Sequence, residues 1–105
     1  MTNARPTPRP PAWLAPSLWR QWRTIARGMD EPPDHATGEL LALFVNAGQR
    51  VSEAARRVET EGITRRSATG RVWVSDAVRE QVRATHEAAR LYHLLGFDRR
   101  RRPPS

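Results

Sequence analysis

Apolar side chains recur every three or four residues over three stretches of this chain, two of them long, and the alternation expected of strands is nearly absent from them. Leu18, Trp19, Trp22, Ile25, Ala26 and Met29 trace the first and shortest stripe, with Arg20, Arg23 and Arg27 beside it. Pro16 stands where a first helical turn tolerates proline, so the spacing predicts a short amphipathic helix that ends near Gly28. The acids of the Asp30–Asp34 turn suit the start of the next helix, because they oppose its dipole.

From Asp34 to Glu61 the positions Thr37, Leu41, Phe44, Gly48, Val51, Ala55 and Val58 alternate spacings of four and three, the pattern of a heptad seam that Gly62 ends. A helix of this length runs to roughly 40 Å, more than so small a domain surrounds by itself. Ala47, Gly48, Ala54 and Ala55 make its middle thin, open to close approach by another helix. The seam residues Leu41, Phe44, Gly48, Val51, Ala55 and Val58 are therefore the expected self-association contacts. The helical period fails over 63–74, where Ile63 and Val72–Val74 flank a Thr69-Gly70 turn signal, and a loop or small hairpin is expected. Ser75 and Asp76 then cap a second long helix with a stripe of Val78, Val82, Thr85, Ala89, Tyr92 and Gly96.

The expected fold class is all-α: a short N-terminal helix packed on a long antiparallel helical hairpin, assembling into an oligomer. All nine prolines lie in residues 6–33 or at Pro103 and Pro104, which leaves 34–102 open to helix. The expected boundaries are a disordered basic, proline-rich arm over 1–12, one helical domain over 13–98, and a disordered arginine-rich tail over 99–105.

Composition removes several chemistries. The 105 residues include no cysteine, and all 18 cationic side chains are arginine, so thiol catalysis, Schiff bases and a P-loop lysine are excluded. No apolar run approaches the roughly 20 residues of a membrane span, no signal-peptide pattern opens the chain, and a cytoplasmic protein is expected. Against 11 acids the net charge is +7, unevenly spread: +5 over residues 1–29, −4 over 30–62, +2 over 63–98 and +4 in the tail. Basic ends and a basic central loop point to a polyanion, and nucleic acid is the expected partner. The candidate phosphate contacts are Arg5 and Arg9 in the arm, Arg65, Arg66 and Arg71 in the loop, and Arg99, Arg100, Arg101 and Arg102 in the tail.

Two further patterns carry alternatives. Ser52–Arg56 followed by Gly62 and Thr64-Arg65-Arg66-Ser67 is the order of a helix-turn-helix, which would make the chain a small DNA-binding regulator or excisionase. Its spacing is long, and Gly70 interrupts the second helix. His86 and His93 lie seven residues apart without a third ligand, and Asp30, Glu31 and Asp34 are explained by capping, so neither a metal site nor catalysis is expected. Trp73 beside Arg71 is placed either to stack on a base or to plug the hairpin.

Pro11-Ala12-Trp13-Leu14, the helix with Trp19 and Trp22, the acidic turn, the Leu40–Gly62 helix, the Thr69-Gly70 loop, the helix from Ser75 and the Leu94-Leu95-Gly96-Phe97 close follow in that order. This order, over residues 11–101, resembles the small subunit of tailed-bacteriophage terminases, in the group with a short all-helical chain. The group ends on Leu-Gly-Leu-Thr-Pro, from which Gly96-Phe97-Asp98-Arg99 departs. The resemblance implies a non-enzymatic, cofactor-free DNA-packaging factor: a homo-oligomeric ring in the host cytoplasm that recognises double-stranded viral DNA. It implies as partner the large terminase subunit, an ATPase and nuclease that receives that DNA.

Overall fold

A computed structural model describes residues 8–100, without the side chain of Arg100. The chain is mainly helical: a 3-10 turn at Pro16–Leu18, then α1 (Trp19–Arg27), α2 (His35–Glu61), β1 (Thr64–Arg66), β2 (Val72–Val74), α3 (Asp76–Leu94) and α4 (Phe97–Arg100). No helix among the described residues is long and apolar enough to cross a membrane. Two compact units divide the chain, one ending at Asn46 and resuming at Leu91, the other Ala47–Arg90.

The first unit is built around tryptophan and leucine. Leu14, Leu18, Trp22 and Ala26 bury one face of the 3-10 turn and α1 against Leu41, Ala42 and Val45 of α2 and against Leu95. The Trp22 indole, fully buried, donates through Nε1 to the Gly38 carbonyl at 3.1 Å, and a Cβ at Gly38 would lie 3.5 Å from its ring. A large side chain thus reaches the backbone of the facing helix, with its polar atom satisfied. Trp19 Nε1 donates to the Leu14 carbonyl at 2.7 Å, and Leu14 N–H to the Pro11 carbonyl at 3.1 Å, which fastens the entry segment to the helix that follows. Asp34 caps α2 as its sequence promises: Oδ1 accepts from Thr37 N–H at 2.8 Å, and that bond holds the Asp34 carboxyl below its ordinary pKa.

Against this core Phe44 and Phe97 pack, and with Tyr92 they form a tilted and edge-to-face aromatic trio with centroids 5.5 to 6.1 Å apart. Phe97 opens α4, so helix continues to Arg100 where the sequence predicts a detached tail from Arg99 onward. The reason is local: Phe97 packs on the core, and Arg99 N–H is bonded to Asp98 Oδ1 and the Gly96 carbonyl. Likewise Pro8–Pro11, expected within a disordered arm, lie along Trp22, Pro33 and Gly38.

In the second unit the last part of α2 and the first part of α3 run antiparallel, and the residues sealed between them are small: Ala47, Ala54, Ala77, Ala84 and the α3 cap Ser75. Ser75 Oγ accepts from Val78 N–H at 3.3 Å. On α3 the buried positions fall one residue before the stripe expected from sequence, at Ala77 and Ala84 rather than Val78 and Thr85. Thr85 is exposed, and Val82 is 49% exposed. The period is as expected and its phase is shifted by one residue.

Gly62 (φ +85°) ends α2, and β1 pairs antiparallel with β2 as Thr64↔Val74, Arg65↔Trp73 and Arg66↔Val72. Beyond these pairs Ser67 N–H donates to the Arg71 carbonyl at 2.9 Å, and the chain reverses through Gly70 at φ +87°, a position that favours glycine. Gly70 N–H in turn donates to the Ser67 carbonyl at 3.0 Å. This is the small hairpin expected over 63–74, and with it the chain is mainly α. It corrects one expectation, the helix-turn-helix, because Thr64–Arg66 is strand where a recognition helix would have to begin.

Candidate nucleic-acid interface

The hairpin is where the structure gathers predicted phosphate contacts. All six strand residues are exposed. Strand alternation puts Thr64, Arg66, Val72 and Val74 on one face and the opposed pair Arg65 and Trp73 on the other. The second face borders a recess lined by Arg57, Glu61, Arg65, Trp73, Ser75 and Asp76. Arg71 follows the turn, its backbone N–H donating to Ser67 Oγ at 3.2 Å. None of Arg65, Arg66 and Arg71 is in an ion pair with a described residue. Uncommitted guanidinium groups on a narrow ribbon, Arg65 opposed to the exposed Trp73 indole and Arg66 on the other face, suit phosphate contact and base or sugar packing.

The other cations are distributed differently. Arg9 lines a cleft of the first unit, Arg99 is exposed on α4, and Arg100 lies at the end of that helix. Arg5, Arg101 and Arg102 lie outside the described residues. His93 Nδ1 meets Asp98 Oδ2 at 2.9 Å, a bond that lowers the Asp98 pKa. Among the described residues no three His, Asp or Glu side chains gather as a metal site.

The six expected self-association residues separate into two groups. Leu41 is buried in the first unit's own core and Phe44 packs in its aromatic trio, so both already have intrachain neighbours. Gly48, Val51, Ala55 and Val58 are half-buried in the second unit, and a Cβ at Gly48 would meet nothing within 4 Å. The close approach expected at Gly48 is therefore not made by any described part of the chain.

Arg50, which sequence reasoning passed over, bridges the two helices of this unit. Its Nε lies 3.2 Å from Glu80 Oε1 and its Nη1 2.9 Å from Glu87 Oε2, and Arg83 adds a second cation to Glu80 at 3.3 Å. Chiefly through the Glu87 bond, the Arg50 pKa is raised further. The bridge lies on one flank of the helix pair. Gly48 and Ala55 on α2, with Val78 and Val82 on α3, occupy the opposite flank by helical spacing.

No family model, curated protein or solved structure matches the chain.

Proposed function

We propose that the chain is a non-catalytic, self-assembling DNA-binding subunit of the terminase small-subunit kind, one that engages double-stranded viral DNA and presents it to a separate ATPase and nuclease for packaging. The observation that carries the reading is the exposed hairpin, whose Arg65, Arg66 and Arg71 have no carboxylate partner among the described residues. Its place between two antiparallel helical segments agrees with the order of features on which the resemblance rests. The occupant of the Gly48, Ala55, Val78 and Val82 flank is a second copy of this chain, because two of the six expected seam residues, Gly48 and Ala55, lie on it and a Cβ at Gly48 would meet no described atom within 4 Å. In a closed assembly the hairpins of several copies act together, so weak single contacts add by effective concentration.

Sedimentation with and without duplex DNA tests the reading. The intact chain is expected to sediment as several copies and to bind duplexes with affinity that falls steeply with salt, each phosphate contact adding about 0.9 to the slope. Gly48→Arg should release single chains of unchanged helicity, and replacing Arg65, Arg66 and Arg71 with glutamine should flatten the salt dependence. A single-copy protein that ignores DNA at low salt would overturn it.

A further inference from the structure

A second cationic feature lies in the first unit, away from the hairpin in sequence. Arg9, Pro10, Ala12, Trp19 and Arg23 line a cleft of about 580 Å³. Its walls divide by chemistry: Pro10, Ala12 and Trp19 are apolar, the other two residues are arginines, and no acid contributes. Arg23 lies over the Trp19 ring at 5.9 Å, and its Nε is buried without a hydrogen-bond partner among the described residues. Neither arginine is in an ion pair with a described residue. The indole N–H of Trp19 is already committed to the Leu14 carbonyl, so the ring offers the cleft only its apolar surface.

From these observations we infer that the Arg9–Trp19–Arg23 cleft binds one nucleotide unit, its phosphate between the two guanidinium groups and its base against Trp19 and Pro10. The outer guanidinium nitrogens of Arg9 and Arg23 hold the phosphate, in the charge-assisted geometry that arginine favours. The volume decides between a bare anion and something larger: it falls within the roughly 300–1,000 Å³ of small-molecule clefts, well beyond what phosphate alone fills. An aromatic ring takes any base by its face, so the cleft is expected to hold nucleotides with little base preference. The inference does not require duplex binding by the hairpin. Its nucleotide comes from either of two sources, a free 5′-mononucleotide or a unit of a single strand, and both present the same phosphate and base.

The test follows the Trp19 indole N–H resonance, assigned by its loss in Trp19→Phe, in the full-length chain. Inorganic phosphate, a 5′-mononucleotide, a short single-stranded oligonucleotide and a duplex are titrated in turn. Saturable shifts of Trp19 with the mononucleotide or the oligonucleotide, at least tenfold tighter than with inorganic phosphate, support the proposal, and the tighter of the two identifies the source. Arg23→Lys keeps the charge but loses the planar guanidinium fork, and is expected to weaken nucleotide binding several-fold; Arg9→Gln is expected to weaken it while leaving the α1 amide spectrum unchanged. Trp19 shifts equal for phosphate and nucleotide, or absent with all four probes, would overturn it. Hairpin variants at Arg65, Arg66 and Arg71 leave Trp19 shifts intact, so failure of the hairpin reading and failure of this one are told apart.

Discussion

The two units reach compactness by opposite means. The first buries Trp22, Leu14, Leu41 and Val45, whereas the second buries four alanines and a serine and leaves Ile63, Val72, Val74 and Val82 to solvent. Burying a large aliphatic or aromatic side chain stabilises by about 1.5–3 kcal/mol and a methyl-sized one by much less, so the core of the first unit is self-sufficient in a way that the second is not. Small residues bring helix backbones close without much hydrophobic gain. The second unit relies on an ion bridge in addition, and it keeps its larger apolar groups where another surface can reach them.

Trp22→Ala should separate the units most sharply. It removes the largest buried side chain together with the indole N–H that donates to the Gly38 carbonyl, and is expected to cost about 3–5 kcal/mol, measured by denaturant unfolding. Ala84→Leu is the converse experiment, putting bulk where only a methyl fits, with an expected loss of about 1–3 kcal/mol. If Ala84→Leu were neutral, the helices would not be as close as their buried alanines require.

Arg50→Ala is expected to cost only about 1 kcal/mol, because Arg50, Glu80 and Glu87 are each about one-third exposed (32%, 30% and 31%) and water screens the bridge. High salt should shrink the difference from the parent. Gly48→Ala should gain about 0.5–1 kcal/mol of helix stability, since the added Cβ meets no described atom within 4 Å. Comparing it with Gly48→Arg separates helix propensity from self-association. The smallest effect is the pH response of α4: Asp98 titrates below the ordinary carboxylate range, so its contribution is complete above that range, near pH 4, and is lost as pH falls through the lowered value. Following the Asp98 carboxyl and the Phe97 ring by NMR on acidification checks it, and Asp98→Asn should abolish that step.

How much of this was legible in sequence depended on whether a signal was local. Asp34, Gly62, Ser75 and Gly70 announce caps and turns through their own chemistry, and the elements they bound appear where they predict. The phase of α3 was not legible. Size favours Val78 and Val82 as seam residues, but the gap against α2 admits only Ala77 and Ala84, a fact of the partner helix that the α3 stripe does not carry. α4 was hidden because four consecutive arginines mask the one anchoring side chain, Phe97, just before them. Of the candidate interface, Arg65, Arg66 and Arg71 were found by charge. The Arg23 contribution was not, because proline-rich residues 8–12 read as an arm, and only the fold brings them beside Trp19.

The hairpin has a colloidal consequence too. Val72-Trp73-Val74 is exposed, and each strand has an outer edge outside the sheet, a ready template on which one molecule's strand adds to another's. Arg65 and Arg66 on the neighbouring strand and Arg71 at the turn set like charges against each other in any such edge-to-edge stack, and so act as gatekeepers against fibrous association. The same guanidinium groups that are proposed to draw DNA would then keep the free protein dispersed, and neutralising them should lower its solubility as well as its affinity.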